Sequence, residues 1–270
     1  MIDPKNLGGR LRKAVLTSLH RRLTVIQPVT PLVSFTFDDF PRSALRIAGR
    51  ILRRYEARGT YYASPGLSRK VNEQGEHFEI DDLHSLLAEG HELGSHTYGH
   101  ISCRSVTTDF YLADVIKANS YLREVTGMNS PVSFAYPFGH VTLSVKRGIA
   151  GLLSSCRSTF GGLNHRRIDL NLLRANKLYS ASTDLEVARE LIRKNKELRG
   201  WLIFYTHDVC DNPSPYGCTP QFFEQIVKLA AESGARILTV GAALEKATGV
   251  KAAFTSVGAP QSVKSELVRP

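Results

Sequence analysis

Seven short runs rich in β-branched and aromatic residues recur between residues 30 and 248, separated by stretches with helical periodicity. They read VSFTF (33–37), GTYYAS (59–64), HELGSH (91–96), VSFAY (132–136), LLSSC (152–156), WLIFYT (201–206) and ARILTV (235–240). Between them, Leu45, Ala48, Ile51, Leu52 and Tyr55 recur at helical spacing, as do Leu112, Val115, Ile116, Asn119 and Leu122. Thr183 and Glu186 form a capping-box pattern ahead of Leu191, Ile192 and Leu198, and Thr219, Pro220 and Gly234 bracket a further helix. Alternation of this kind demands a parallel sheet wound with helices, because parallel strands can be joined only by crossovers long enough to hold a helix. The sheet is expected either open or closed into a barrel.

Residues 1–29 and 249–270 lack sustained periodicity and are expected to form a basic N-terminal arm and a C-terminal tail around one domain, 30–248. With 270 residues and 42% hydrophobic content the chain can bury a sizeable core, which excludes wholesale disorder. The net charge of +10 gathers in Lys5, Arg10, Arg12, Lys13, Arg21 and Arg22 and in Arg46, Arg50, Arg53 and Arg54. No stacking aromatics are interleaved with these cations, so nucleic acid is not the expected partner. No apolar run approaches a membrane span, leaving at most weak peripheral contact with an anionic membrane surface. The N-terminus lacks a signal-peptide core, and a cytoplasmic location is expected. The four cysteines show no metal-binding spacing; only Cys210 and Cys218, closing CDNPSPYGC, are plausible disulfide partners. The sequence specifies no oligomeric state.

Active sites of parallel α/β folds lie beyond the carboxyl ends of the strands. Asp38 and Asp39 follow VSFTF, His96 and His100 lie at the end of HELGS, Pro137, Phe138 and Gly139 follow VSFAY, and His207 follows WLIFYT. Two histidines four apart can turn both imidazoles to one side of a helical turn, and one carboxylate completes a set suited to Zn²⁺ or a similar divalent metal, with Co²⁺ or Ni²⁺ as alternatives. A bound cation also relieves the repulsion between adjacent aspartates, so that one Asp can hold the metal while the other acts on its water. An Asx turn leading into the next helix would explain the Asp pair alone.

TFDD at 36–39, HTYGH at 96–100, Tyr-Pro-Phe-Gly at 136–139 and LIFYTHD around His207 resemble, in order, the motifs of the polysaccharide deacetylases, the NodB-homology carbohydrate esterases. The resemblance spans roughly residues 30–245 and implies a distorted (β/α) barrel that removes N- or O-linked acetyl groups from carbohydrate. It further implies that Asp39, His96 and His100 bind one divalent metal, that Asp38 is the general base and that His207 is the general acid. Thr97, Tyr136, Pro137 and Phe138 would line the site or assist the oxyanion. One departure stands out. The family's third motif opens with an arginine that steadies the base Asp, and here that position is Ala135, while the family's tyrosine is Phe138. Arg174 is a candidate substitute for the arginine, and Asp169 or Asp208 a candidate partner for His207. A non-sugar amide deacetylase or deformylase on the same scaffold, and a catalytically weak sugar-binding member, are the alternative readings.

Overall fold

The structure is a computed structural model that describes residues 4–249. Its strands are β1 (Leu23–Ile26), β2 (Leu32–Phe37), β3 (Thr60–Ala63), β4 (Val71–Asn72), β5 (Gly75–Glu76), β6 (Glu92–Ser95), β7 (Ser133–Ala135), β8 (Ser155–Arg157), β9 (Arg166–Asp169), β10 (Asn176–Lys177), β11 (Trp201–Thr206) and β12 (Arg236–Ile237). Its helices are α1 (Pro4–Ser18), α2 (Arg50–Arg54), α3 (Ile80–Ala88), α4 (Thr108–Thr126), α5 (Leu143–Ile149), α6 (Leu185–Leu198), α7 (Pro220–Glu232) and α8 (Val240–Thr248). A wide π-type turn, Ala44–Gly49, runs directly into α2.

Seven parallel strands in the order β10, β11, β2, β3, β6, β7, β8 form a curled half-barrel, the distorted barrel that the resemblance implies and one of the two forms that the alternation left open. Its spine is the β2–β11 pair, in register from Leu32 opposite Trp201 to Phe37 opposite Thr206. All twelve residues of these two strands are buried, the mark of a parallel strand covered on both faces. Period-2 alternation then divides the core. Val33, Phe35, Phe37, Leu202 and Phe204 pack outward with Ile226, Val227 and Phe223 of α7, while Leu32, Trp201 and Ile203 pack with Val240, Ala243 and Leu244 of α8. The edge of β2 opposite β11 is shared: β12 pairs with its first residues and β3 with its last, so the expected seventh run, ARILTV, contributes only Arg236–Ile237 as strand.

α7 starts and stops as its sequence signals indicate. Thr219 accepts a hydrogen bond from Phe222 N, Pro220 occupies the first turn, and Gly234 takes φ 80° just past the end. The capping-box expectation at Thr183 is corrected. Asp184 caps α6 by accepting from Glu186 N, and Thr183 Oγ1 instead accepts from Tyr179 N at 3.0 Å.

The N-terminal segment, expected as an arm, is built into the domain. β1 pairs antiparallel with β9, Leu16 is buried beside Tyr111, Val141 and Val145, and the fully buried Lys146 donates to Leu16 O (2.7 Å) and Leu19 O (2.8 Å). Arg22 donates to Ala150 O and Ser154 O, each at 2.7 Å. These anchors are charge-assisted bonds to carbonyls, which leave no hydrophobic period in the sequence. Of the expected C-terminal tail, residues 250–270 lie outside the described residues.

Candidate active site

The loops that leave β2, β3, β6, β7, β8 and β11 surround a cleft of about 490 Å³ at the carboxyl end of the sheet. Backbone strain concentrates here. Five of the ten described non-glycine residues with positive φ are Asp39 (61°), Phe40 (55°), Thr97 (62°), His100 (52°) and Phe138 (59°). Each such residue costs on the order of 1–3 kcal/mol and persists only where its surroundings over-determine it. The expected helical turn at 96–100 is therefore corrected: this is a loop, and left-handed residues at Thr97 and His100, not a helical repeat, aim the two imidazoles together. Gly66 braces that loop, its N–H bonded to Tyr98 O at 2.7 Å; a Cβ at Gly66 would stand 2.8 Å from the same oxygen, which only glycine avoids.

Asp39, His96 and His100 are brought together as expected, with one ligand atom from each lying within 4.8 Å of the others. Asp39 Oδ1 stands 3.3 Å from His96 Nε2 and 3.0 Å from His100 Nε2. His96 Nδ1 is 2.8 Å from Ala135 O, and because a carbonyl can only accept, that nitrogen carries the proton. In the neutral ring the lone pair of His96 Nε2 then points toward the carboxylate. Asp39 is held further by Gln74, whose Nε2 donates to Oδ2 at 3.0 Å, and by His77, whose Nδ1 donates to the Asp39 carbonyl at 3.2 Å.

Asp38, 5% exposed, takes a different partner. Its backbone N–H is tied to Thr206 O at 2.9 Å, and its Oδ1 accepts from Arg157 Nη2 in a buried ion pair. The guanidinium is 1% exposed and lies between two aromatic faces, 5.1 Å from the Tyr62 centroid and 4.9 Å from that of Tyr205. Although burial works against its charge, Asp38 and the tyrosines raise the Arg157 pKa above its ordinary value. The expectation for Arg174 is thus corrected. That residue reaches Gly161 O at 3.0 Å on the surface, and Arg157, at the end of β8, stands beside Asp38 in its place.

His207 presents Nε2 to the cleft, 3.9 Å from Asp39 Oδ2, while its Nδ1 lies 3.1 Å from Tyr216 O. A backbone carbonyl therefore fixes this ring, and neither expected carboxylate does. Asp169 pairs with Lys146 at 2.6 Å and with Arg22 N and Asn171 N; Asp208 is occupied by the Ser214 N–H (2.7 Å) and hydroxyl (2.6 Å).

Three other expectations are corrected. Thr97 is fully buried with its hydroxyl bonded to Ile101 N, Tyr136 is turned away to donate to Asn171 O at 3.1 Å, and Pro137 is buried, so none of them lines the cleft. Phe138 does: its ring is 59% exposed and lies 4.5 Å, centroid to centroid, from His100. Tyr179, Tyr205 and Tyr216 form the opposite wall around His207, with ring centroids 5.7–5.9 Å apart. Desolvation raises the Tyr179 and Tyr205 pKa values, so both hydroxyls stay protonated. Cys210 and Cys218 are free thiols, joined only by a backbone bond from Cys210 N to Cys218 O.

The sequence reading missed Arg157, Gln74 and the three tyrosines. Arg157 directly follows LLSSC, at the same rim already inspected, and a charged residue ending a buried run was the available signal. Gln74 sits between β4 and β5, a two-stranded ribbon with exposed strands and no apolar pattern.

Residues 27–152 match the family model described as polysaccharide deacetylase. Among curated proteins, the chain is 26% identical over 149 residues to a chitin deacetylase of Colletotrichum lindemuthianum, covering 55% of this chain and 54% of that protein. It is 22% identical over 216 residues to a chitin deacetylase of Arthroderma benhamiae, covering 80% and 52%. The chain thus spans about half the length of these curated relatives. Two solved structures share the fold. The Xyl-CE4 domain of a multidomain xylanase from the hindgut metagenome of Trinervitermes trinervoides superposes with a TM-score of 0.55 at 18% identity, over 83% of this chain and 93% of that one. A family 4 acetyl xylan esterase from Clostridium thermocellum, in complex with a cobalt ion, also gives 0.55, at 21% identity over 81% and 95%. The matched segment begins ahead of β2 and ends beyond the turn that holds Phe138, so everything that builds the Asp-His-His cluster falls inside it, and over that segment the chain is similar to the polysaccharide deacetylases.

Proposed function

We propose that this protein is a divalent-metal-dependent hydrolase that removes acetyl groups from N- or O-acetylated carbohydrate. The observation that carries the reading is Asp39 Oδ1, a buried oxygen without a hydrogen-bond partner although two imidazole nitrogens converge on it at 3.0 and 3.3 Å. Buried polar atoms are rarely left unpaired. Lone pairs aimed at a carboxylate oxygen repel, and a cation among the three donors turns that arrangement into a ligand set of the kind Zn²⁺, Co²⁺ or Ni²⁺ accepts. The cobalt ion of the Clostridium thermocellum relative supports the same assignment.

Asp39, His96 and His100 would hold the ion; when bound, it supplies Lewis-acid polarisation of the acetyl carbonyl and makes a water more acidic. Asp38 receives the proton of the attacking water. Arg157 keeps that carboxylate in one orientation and balances its buried charge, which alone would be costly. His207, with Nδ1 engaged by Tyr216 O, has Nε2 free in the cleft to hand a proton to the departing sugar nitrogen or oxygen. The turn at Phe138, in the cleft wall beside His100, is the element assigned to assist the oxyanion. The wall of Tyr179, Tyr205 and Tyr216 supplies the flat, amphipathic faces on which a sugar ring can lie, and this favours carbohydrate over a small acylated amine.

Acetate release from chitooligosaccharides, peptidoglycan fragments, acetylated xylan and lipid-linked aminosugars, beside a formylated and an acetylated non-sugar amine, tests the reading. Turnover of at least one carbohydrate above both non-sugar amines supports it. Turnover confined to the non-sugar amines overturns the substrate class.

A further inference from the structure

We propose that the face formed by α1 and the strand after it docks the protein on an anionic lipid surface. The helix turns Leu16 into the core and holds Arg12 against the domain through a 2.9 Å bond to Val141 O. Alongside that seam, Leu11 (68% exposed), Val15 (37%) and Leu19 (48%) recur at intervals of four and face outward. Leu23 and Val25, alternate residues of β1, continue the exposed apolar series, and Val29 follows. Six of the fourteen exposed large hydrophobics among the described residues fall in this one segment of nineteen residues. Scattered exposed leucines need no explanation, whereas a contiguous series does.

Charge selects the occupant. From Pro4 to Phe37 the chain contains no Asp or Glu but carries Lys5, Arg10, Lys13 and Arg21, besides Arg12 and Arg22, which carbonyls of the domain engage. A second copy of the chain would bring the same cations face to face, with a net charge of +10 on each molecule. An anionic bilayer answers both features, since outward leucines enter the interface while flanking Lys and Arg meet acidic headgroups. The placement also suits the cleft. Val141, which Arg12 holds, is two residues beyond Gly139 of the cleft wall, and the exposed Phe138 stands on the same turn, so α1 is fastened to the segment that forms one side of the cleft.

Flotation of the full chain with vesicles tests the proposal. Binding is expected to phosphatidylcholine vesicles containing about one-third phosphatidylserine, to be lost at high salt, and to be absent with phosphatidylcholine alone. Leu11→Asp with Val15→Asp, which changes no buried side chain, should weaken binding at least roughly tenfold while thermal unfolding and acetate release from soluble substrate are unchanged. Lys13→Glu with Arg21→Glu leaves the apolar face intact and should cost roughly fivefold per cation. Equal binding to neutral and anionic vesicles, no binding to either, or anionic binding indifferent to both variants overturns the proposal. So does a dimer in light scattering that Leu11→Asp with Val15→Asp disperses, because the face would then belong to a second copy.

Discussion

Arg157 meets Asp38 from β8, two strands beyond the one that positions the His pair and 119 residues along the chain from the carboxylate it serves. The consequence is local. Ala135, standing where the related motif carries an arginine, gives up only a side chain, and its carbonyl keeps a separate task in fixing His96. A guanidinium held between the rings of Tyr62 and Tyr205 is rigid enough to be a positioning group.

If that pairing orients the base, Arg157→Ala and Asp38→Asn must act through each other. Arg157→Ala is expected to lose about two orders of magnitude in kcat/KM, from a displaced and unbalanced carboxylate. Arg157→Lys should recover little, because an ammonium cannot reproduce a planar group stacked between rings. A double-mutant cycle on kcat/KM should return a coupling above about 1.5 kcal/mol. Additive losses would separate Arg157 from the base.

The two adjacent aspartates should fail differently. Asp38→Asn should keep metal affinity and lose roughly two or more orders of magnitude in turnover, whereas Asp39→Ala should lose the metal as well. Metal content of the purified variants reads this directly. An empty site in Asp38→Asn beside a filled one in Asp39→Ala would reverse the roles.

His207→Ala should be felt most where the leaving group needs a proton. Deacetylation of sugar amines should fall severely, while activated aryl acetates, whose leaving groups depart unprotonated, should be affected far less. Equal loss on both substrate types, accompanied by a lower unfolding temperature, would leave His207 only a structural part.

A pH signature arises away from the cleft. His91 Nδ1 accepts the Gly59 N–H at 3.0 Å, and burial, assisted by the charges of Arg58 and Arg53, lowers this imidazole to about 4. The unfolded chain, with an ordinary histidine, binds the proton more tightly through this window, so the contribution of His91 to stability is full above about pH 6.5 and is lost as pH falls toward 4. The loss amounts to at most about 3 kcal/mol. Urea midpoints between pH 7 and 4 should fall more steeply for the wild type than for His91→Asn, whose amide oxygen can accept the same N–H without titrating; parallel curves would contradict the assignment.

The strand-helix alternation and four of the cleft's groups were legible because each rests on a local pattern. An apolar run marks a parallel strand, and the residues that follow it stand at the catalytic rim; this located Asp39, His96, His100 and His207 together. What was not legible depends on contacts between distant segments. Arg157 finds Asp38 only once β7 and β8 are in register, Gln74 reaches Asp39 from an unpatterned ribbon, and Lys146 fastens α1 through carbonyls that any residue possesses. Motif adjacency also overreached, since Thr97 and Tyr136 sit within the motifs but serve their loops from beneath.

The most direct measurement is acetate release against bound metal. Protein stripped by a chelator and titrated with Zn²⁺, Co²⁺ or Ni²⁺ should regain activity in proportion to metal bound, saturating at about one ion per chain, as the one such set among the described residues, Asp39–His96–His100, implies. Undiminished acetate release from the stripped protein, or none when one ion is bound at this site, would contradict the account.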